Sequence, residues 1–172
     1  MTKAKIGIAG VGKLGNFHCN SVSQLADAEL VGVYDVDENQ RNEIAERYKC
    51  TSFSSLTELL KNIDILGIVV PTINHLDVAK EAIKAGKHIF VEKPIASTIA
   101  EAEELVGLAK DAGVKLQVGH IERFNPAIRA LEAGYLDPMF IESHRLAPFD
   151  PRGTDVAVVL DLMIHDIDIL LS

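Results

Sequence analysis

Along the first two thirds of the chain, short apolar runs alternate with longer stretches that are apolar only at every third or fourth position. The runs Lys5–Ala9, Leu30–Tyr34, Thr51–Phe53, Ile65–Val70, His88–Val91 and Lys115–Val118 have strand length, and most are rich in Ile and Val. Ile65–Val70 is apolar at nearly every position, the pattern of a strand buried on both faces. Between the runs, helices are predicted over Lys13–Gln24, after Asp37, over Leu56–Lys61, over His75–Ala85 and from Thr98 to Asp111. Asp37 and Ser55 stand at N-cap positions. Thr98 with Glu101, and Asp37 with Gln40, have capping-box spacing. Gly86 and Gly113 follow the last periodic residues of their helices, where a left-handed cap is common. This alternation predicts an α/β fold built on a doubly wound parallel sheet.

After Gly119 the alternation stops. Arg123-Phe124-Asn125-Pro126 interrupts it, a short helix is predicted over Ala127–Ala133 ending near Gly134, and Phe140–Leu146 reads as a strand. Asp155–Leu171 reads as a long helix, apolar around nearly its whole circumference and therefore expected to be buried. No stop signal follows it. The expected organisation is a nucleotide-binding domain over 1–119 and, over 120–172, the incomplete beginning of an α+β substrate domain, as in a chain cut within its second domain.

Composition narrows this picture. The 172 residues are 48% hydrophobic and 24% charged, ordinary values for a globular protein. A net charge of −8 argues against a nucleic-acid partner, which needs clustered Lys and Arg. No apolar stretch reaches the roughly 18 residues of a membrane span, and the start carries no signal-peptide pattern. The expected setting is the cytoplasm, with no membrane partner. Cys19 and Cys50 lack CxxC spacing and are expected to be reduced thiols, a redox pair being the less supported alternative.

Three segments carry candidate chemistry. Gly10-Val11-Gly12-Lys13-Leu14-Gly15 follows the first strand and opens a helix. In such a loop the first glycine makes the tight turn, the second admits a pyrophosphate, and the third lets helix and strand pack closely. The helix N-terminus offers free N–H groups to phosphate. Asp35, at the end of the second strand, suits ribose hydroxyls and disfavours a 2′-phosphate. With no adjacent arginine, it points to NAD rather than NADP. Glu92-Lys93-Pro94 ends the fifth strand, at the sheet edge where such folds bind ligands. A lysine there is by default a solvated surface residue, but its flanking residues restrict the backbone. Asp161, His165 and Asp168 fall within an arc of about 60° on the last helix, at about 100° per residue. A polar stripe on a buried helix must be paired or line a cavity. His165 fits either a proton shuttle or a structural histidine held by Asp161. His75, at a helix start after Pro71, is placed near the cofactor or in a plain structural role. No histidine has metal-ligand spacing, and no metal site is expected.

The glycine loop, the segment Pro71-Thr72-Ile73-Asn74-His75, Ala85-Gly-Lys-His-Ile-Phe-Val-Glu-Lys-Pro94 and the Asp161-xxx-His165 helix resemble the glucose–fructose oxidoreductase and inositol dehydrogenase family of nicotinamide-dependent sugar dehydrogenases. Within it, the segments around Arg123 and Arg152 look most like UDP-N-acetylglucosamine 3-dehydrogenases. The resemblance implies an N-terminal Rossmann domain and a C-terminal domain on a large, mostly antiparallel sheet. Nearly all of that sheet is missing here. It implies that Pro71, Thr72, Asn74, His75, Glu92 and Lys93 line the NAD site with the glycine loop and Asp35. It also implies a cis Lys93–Pro94 bond. His165 would remove a hydroxyl proton, Lys93 would hold the same oxygen, and Asp161 would orient His165. Arg123, Asn125 and Arg152 would be candidate contacts to a sugar or nucleotide-sugar substrate. A homo-oligomer is implied for the complete protein. An inositol or free-sugar dehydrogenase, or a truncated NAD-binding module without catalysis, are the alternatives.

Overall fold

The computed structural model describes residues 3–132, 137–146 and 157–172. Two compact units divide the chain at Val118/Gly119.

The first unit is a six-stranded parallel sheet in the order β3-β2-β1-β4-β5-β6. Its strands are β1 Ala4–Ala9, β2 Ala28–Tyr34, β3 Thr51–Phe53, β4 Ile65–Ile68, β5 His88–Val91 and β6 Leu116–Val118. The helices are α1 Lys13–Ser23, α2 Glu38–Tyr48, α3 Leu56–Leu60, α4 His75–Lys84 and α5 Ile99–Asp111. Alternate residues of the strands feed two apolar clusters. Ile8 and Val33 pack with Cys19 of α1 and with Ile44 and Ala45 of α2. Ala9, Leu66, Ile68, Ile89 and Val91 pack with α3, α4 and α5 through Leu59, Ala79, Ala82 and Leu105. Strand order reverses between β1 and β4, so the crevice at their carboxyl ends is the topological switch point where ligands bind in open α/β sheets.

Local signals behave as the sequence predicts at Asp37 as an N-cap and at Thr98, but the reciprocal half of the Asp37–Gln40 box is not among the hydrogen bonds of α2. Asp37 accepts from the backbone N–H of Asn39 and Gln40. Thr98 and Glu101 form the reciprocal capping box of α5. Ser55 occupies the N-cap of α3, but its hydroxyl makes no capping hydrogen bond.

The second unit departs from expectation. Among the described residues it holds a 3₁₀ turn Ile121–Phe124, α6 Pro126–Glu132, a π-helical turn Val159–Met163 and α7 Ile164–Leu171. The segment 140–146 is not a strand. A strand needs a neighbour for its N–H and C=O groups, and the described residues of this unit supply none. The last helix is not buried at any described position, and its regular period is broken by the π turn. Its apolar Val158, Met163, Leu170 and Leu171 are exposed, whereas Asp161, His165 and Asp168 are half-buried. Residues 155 and 156 of the predicted helix, residue 133 of the predicted short helix, and Gly134 lie outside the described residues.

α5 separates capping from packing in one element. Thr98→Ala should lower stability by about 1 kcal/mol. Leu105→Ala, at a fully buried position of the same helix, should cost about 2–5 kcal/mol. Urea denaturation of both variants checks this, with the Leu105 effect expected to be the larger.

Candidate dinucleotide site and the Glu92-Lys93-Pro94 turn

β1 leads into Gly10, which adopts φ +85° and donates its N–H to the Tyr34 carbonyl at 2.9 Å. A Cβ at Gly10 would strike the main chain of Val69, and one at Gly15 would strike the Gly10 carbonyl oxygen. Gly15 thus lets α1 begin directly against the end of β1, and Gly10 lets that end lie close to the main chain after β4. A Cβ at Gly12 would meet nothing within 4 Å, so the open side of the loop lies there. Gly12 is the N-cap of α1, no side chain caps it, and no acidic residue occupies the first turn. The first amides of a helix need partners from outside it. At Lys13, Leu14 and Gly15 this end is left ready for an anion.

Asp35 closes the loop from the β2 side. Its Oδ2 accepts the Val11 N–H at 2.7 Å and its Oδ1 accepts the Asp37 N–H at 3.0 Å. Each carboxylate oxygen keeps a further lone pair for a ribose hydroxyl. Arg41, six residues on in sequence, is brought behind this turn by α2. It is 8% exposed, donates from Nη1 to the Asp35 carbonyl at 2.9 Å and from Nε to Ser52 Oγ at 3.1 Å. It therefore supports the main chain of Asp35. The open glycine loop, the uncapped helix end and the carboxylate together fit a dinucleotide such as NAD.

On the other side of β1, Val69 N–H donates to the Ala9 carbonyl at 2.8 Å, and Pro71 turns the chain into the 3₁₀ turn Thr72–Asn74. Pro71 and Asn74 are exposed and Thr72 is half-buried. His75 is fully buried. Its Nδ1 lies 3.0 Å from the Pro94 carbonyl and its Nε2 lies 3.0 Å from the Val70 carbonyl. It bridges the loops after β4 and β5. A neutral ring can donate to only one of these carbonyls.

The turn after β5 is the most constrained part of the site. Glu92 is buried, and its N–H continues the ladder to Ile68 at 3.0 Å. Its Oε1 lies 2.7 Å from His18 Nε2, and its Oε2 accepts the Lys93 N–H at 3.1 Å. Burial pushes the Glu92 carboxyl up, but the His18 hydrogen bond and charge, with the Lys93 amide and ammonium, bring it below the usual glutamate value. Lys93 is half-buried and the Lys93–Pro94 bond is cis. Sequence reasoning passed over His18. Its position three residues after Gly15, on the helix face that meets the sheet, was the available signal. Burial pushes the Cys19 thiol up to about 12, aided by Cys50, and the Cys50 thiol up to about 11. Both are free and protonated at neutral pH.

In the second unit, Arg123 grips Asp168 through Nε and Nη2, both at 2.6 Å, and His120 Nδ1 lies 3.8 Å from the same carboxylate. The Arg123 hydrogen bond, opposed by some desolvation, holds Asp168 below the usual aspartate value. Arg145 grips Asp166 in the same two-pronged way at 2.8 Å. Asn125 accepts the Ala127 N–H at 3.0 Å at the start of α6 and donates to Glu122 at 3.2 Å. Asp161 lies on the π turn and His165 on α7, both half-buried. Arg152 lies outside the described residues. Among the described residues no cluster of His, Cys, Asp or Glu is arranged to hold a metal ion, and no helix is long and apolar enough to cross a membrane.

The sheet order and the open glycine loop define a dinucleotide-binding α/β domain, with the Glu92-Lys93-Pro94 turn at the carboxyl ends of the same strands. Residues 4–120 match the oxidoreductase family with an NAD-binding Rossmann fold, GFO/IDH/MocA, and the chain belongs to that family. It is 41% identical to the UDP-N-acetylglucosamine 3-dehydrogenase of Acidithiobacillus ferrooxidans over 99% of its own length and 54% of that protein's. The solved structure of that enzyme superposes with a TM-score of 0.92, covering 99% of this chain and 54% of that one. The inositol 2-dehydrogenase of Rhizobium meliloti is 31% identical over 95% of this chain and 53% of its own. GenD2 of gentamicin A biosynthesis, solved in complex with NAD, superposes with a TM-score of 0.74 at 26% identity, covering 77% of this chain and 39% of that one. The chain thus spans about half the length of the curated relatives it matches.

Because the folded pKa of Glu92 lies below its unfolded one, the ionised carboxylate adds stability above the usual glutamate range. That stability is lost as the pH falls through the lowered value. Denaturation midpoints should drop as the pH falls through and below the usual glutamate range, more steeply in the unaltered chain than in Glu92→Gln. Equal slopes would assign the acid sensitivity to other groups.

Proposed function

We propose that this chain is the cofactor-binding part of an NAD-dependent dehydrogenase acting on a secondary hydroxyl of a nucleotide sugar, with C3 of UDP-N-acetylglucosamine as the first candidate. The observation that carries the reading is the pairing of an open, uncapped glycine loop after β1 with a buried, tightly held Glu92-Lys93-Pro94 turn after β5. The 41% identity to a UDP-N-acetylglucosamine 3-dehydrogenase supports the substrate.

In this reading Gly10, Gly12, Lys13, Leu14 and Gly15 present backbone N–H groups to the pyrophosphate. Asp35 accepts from the adenosine ribose, and Pro71, Thr72, Asn74, His75, Glu92 and Lys93 complete the cofactor wall. NAD, when bound, supplies the hydride acceptor. Lys93 donates a hydrogen bond to the substrate oxygen and stabilises the negative charge that develops on it. His165 accepts the hydroxyl proton as general base, and Asp161, one helical turn earlier, orients it. Of the arginines assigned to substrate, Arg123 must exchange or share its contact with Asp168 to take that role. A homo-oligomer in the cytoplasm is part of the same reading.

The protein that contains this chain should form NADH with UDP-N-acetylglucosamine. Faster turnover of myo-inositol or a free sugar would move the assignment to that branch of the family, and NAD binding without any sugar turnover would reduce it to a binding module. In the active protein, Lys93→Ala and His165→Ala should each lower kcat by about 10²- to 10⁴-fold with NAD affinity nearly unchanged. Wild-type turnover by the His165 variant would remove it from the mechanism. The unaltered chain should bind NAD more tightly than NADP in calorimetric titrations. Asp35→Ser should weaken NAD binding and narrow that preference, and tighter binding of NADP by the unaltered chain would refute the role of Asp35.

A further inference from the structure

The turn that carries Lys93 is held from outside by a residue of another element. His18 lies on α1, the helix that opens at the glycine loop, and its Nε2 is 2.7 Å from Glu92 Oε1. The two side chains are 19% and 8% exposed, so the contact is largely shielded from water. The His18 ring also lies against Phe90 of β5, with ring centroids 5.4 Å apart and a tilt of 57°. The second Glu92 oxygen holds the Lys93 amide. A carboxylate anchored at one oxygen has lost the freedom to rotate at the other. The bond from α1 therefore fixes the acceptor that fixes Lys93. The same helix packs against β1 through Gly15 and Gly10, so the start of the dinucleotide loop and the Lys93 turn share one rigid link.

We propose that His18 is a positioning residue. Through its hydrogen bond to Glu92 it ties the helix of the glycine loop to the Lys93 turn, so that occupation of the dinucleotide site and the placement of Lys93 are set together. The functional weight of this link rests on the reading of Lys93 as a catalytic group. The link itself does not, and its test reads the Lys93 backbone directly.

Two variants separate the hydrogen bond from ring packing. His18→Phe keeps a ring against Phe90 and removes the bond to Glu92. His18→Gln keeps a hydrogen-bonding side chain and removes the ring. Amide hydrogen exchange of the 172-residue chain by NMR, at one pH, reports on Lys93, with Ile8, Leu66 and Ile89 as core references. In His18→Phe the Lys93 amide should exchange faster by about tenfold, as loss of one hydrogen bond to a charged acceptor allows, while the references keep their protection. In His18→Gln it should stay near the unaltered rate. Saturating NADH should slow exchange at Lys93 in the unaltered chain, and this response should shrink in His18→Phe. Unchanged Lys93 exchange in His18→Phe, or equal acceleration in both variants, would overturn the proposal. Should the core references of His18→Phe also lose protection, the Gln variant decides: preserved exchange at Lys93 supports the link and accelerated exchange refutes it. Failure of NADH to bind the unaltered chain would count against the proposed function, and full turnover by Lys93→Ala would count against the catalytic role of Lys93. Neither would alter the exchange result obtained without NADH, which alone decides whether His18 holds the Lys93 turn.

Discussion

The close approach of α1 to the end of β1 is the constraint on which the rest of the first unit depends. It exists because Gly15 has no Cβ where one would collide with the Gly10 carbonyl, while Gly10 has none where one would collide with the main chain of Val69 after β4. Once that contact is made, the helix N-terminus faces the open side of the loop at Gly12, and Cys19 is carried into the cluster with Ile8 and Val33. His18, the residue before Cys19, is then at hydrogen-bonding distance from Glu92 just after β5. A residue larger than glycine at position 15 would move the helix, and with it the end left open to an anion and the link to Lys93; one at position 10 would push the end of β1 from the segment after β4.

Buried or half-buried carboxylates do the remaining organising. Asp35 joins the glycine loop to the turn after β2, and Glu92 joins β5 to α1. Each is satisfied at both oxygens, the condition under which shielding a charge from water is tolerable. Asp35 is also the group that meets a ribose in the proposed complex, so one side chain shapes the loop and reads the ligand. His75 works in parallel, its buried ring set between the carbonyls of Pro94 and Val70. The loops after β4 and β5 are thereby fixed to one another before any cofactor arrives, which limits the ordering cost of binding.

The second unit shows the opposite balance. Its ionic pairs, Arg123 with Asp168 and Arg145 with Asp166, turn the acidic residues of the last helix toward their partners and leave Val158, Met163, Leu170 and Leu171 outside. In the relatives, roughly half of each protein lies beyond the region this chain matches. A helix with apolar residues on nearly every side needs more than one packing surface, and the described residues provide part of one.

Much of the fold was legible because its signals are local. Strand runs, the Thr98–Glu101 box, the left-handed glycines Gly86 and Gly113 and the glycine loop each act within a few residues, through sterics and short-range hydrogen bonds. The doubly wound sheet follows from their alternation. The predicted strand 140–146 failed because a strand is stabilised by its neighbour, which local pattern cannot supply. The buried last helix failed because burial is a property of what surrounds it. Of the candidate site, Asp35 and Lys93 were nominated by motif spacing. His18 and Arg41 were not, because each acts on a segment distant in sequence or through main-chain atoms that carry no residue identity. The sequence by itself determined the sheet, its helix ends and the place of the dinucleotide loop, since these rest on short-range backbone geometry. Only the tertiary structure decided which polar side chains meet, since that depends on how α1, α2 and β5 are brought together.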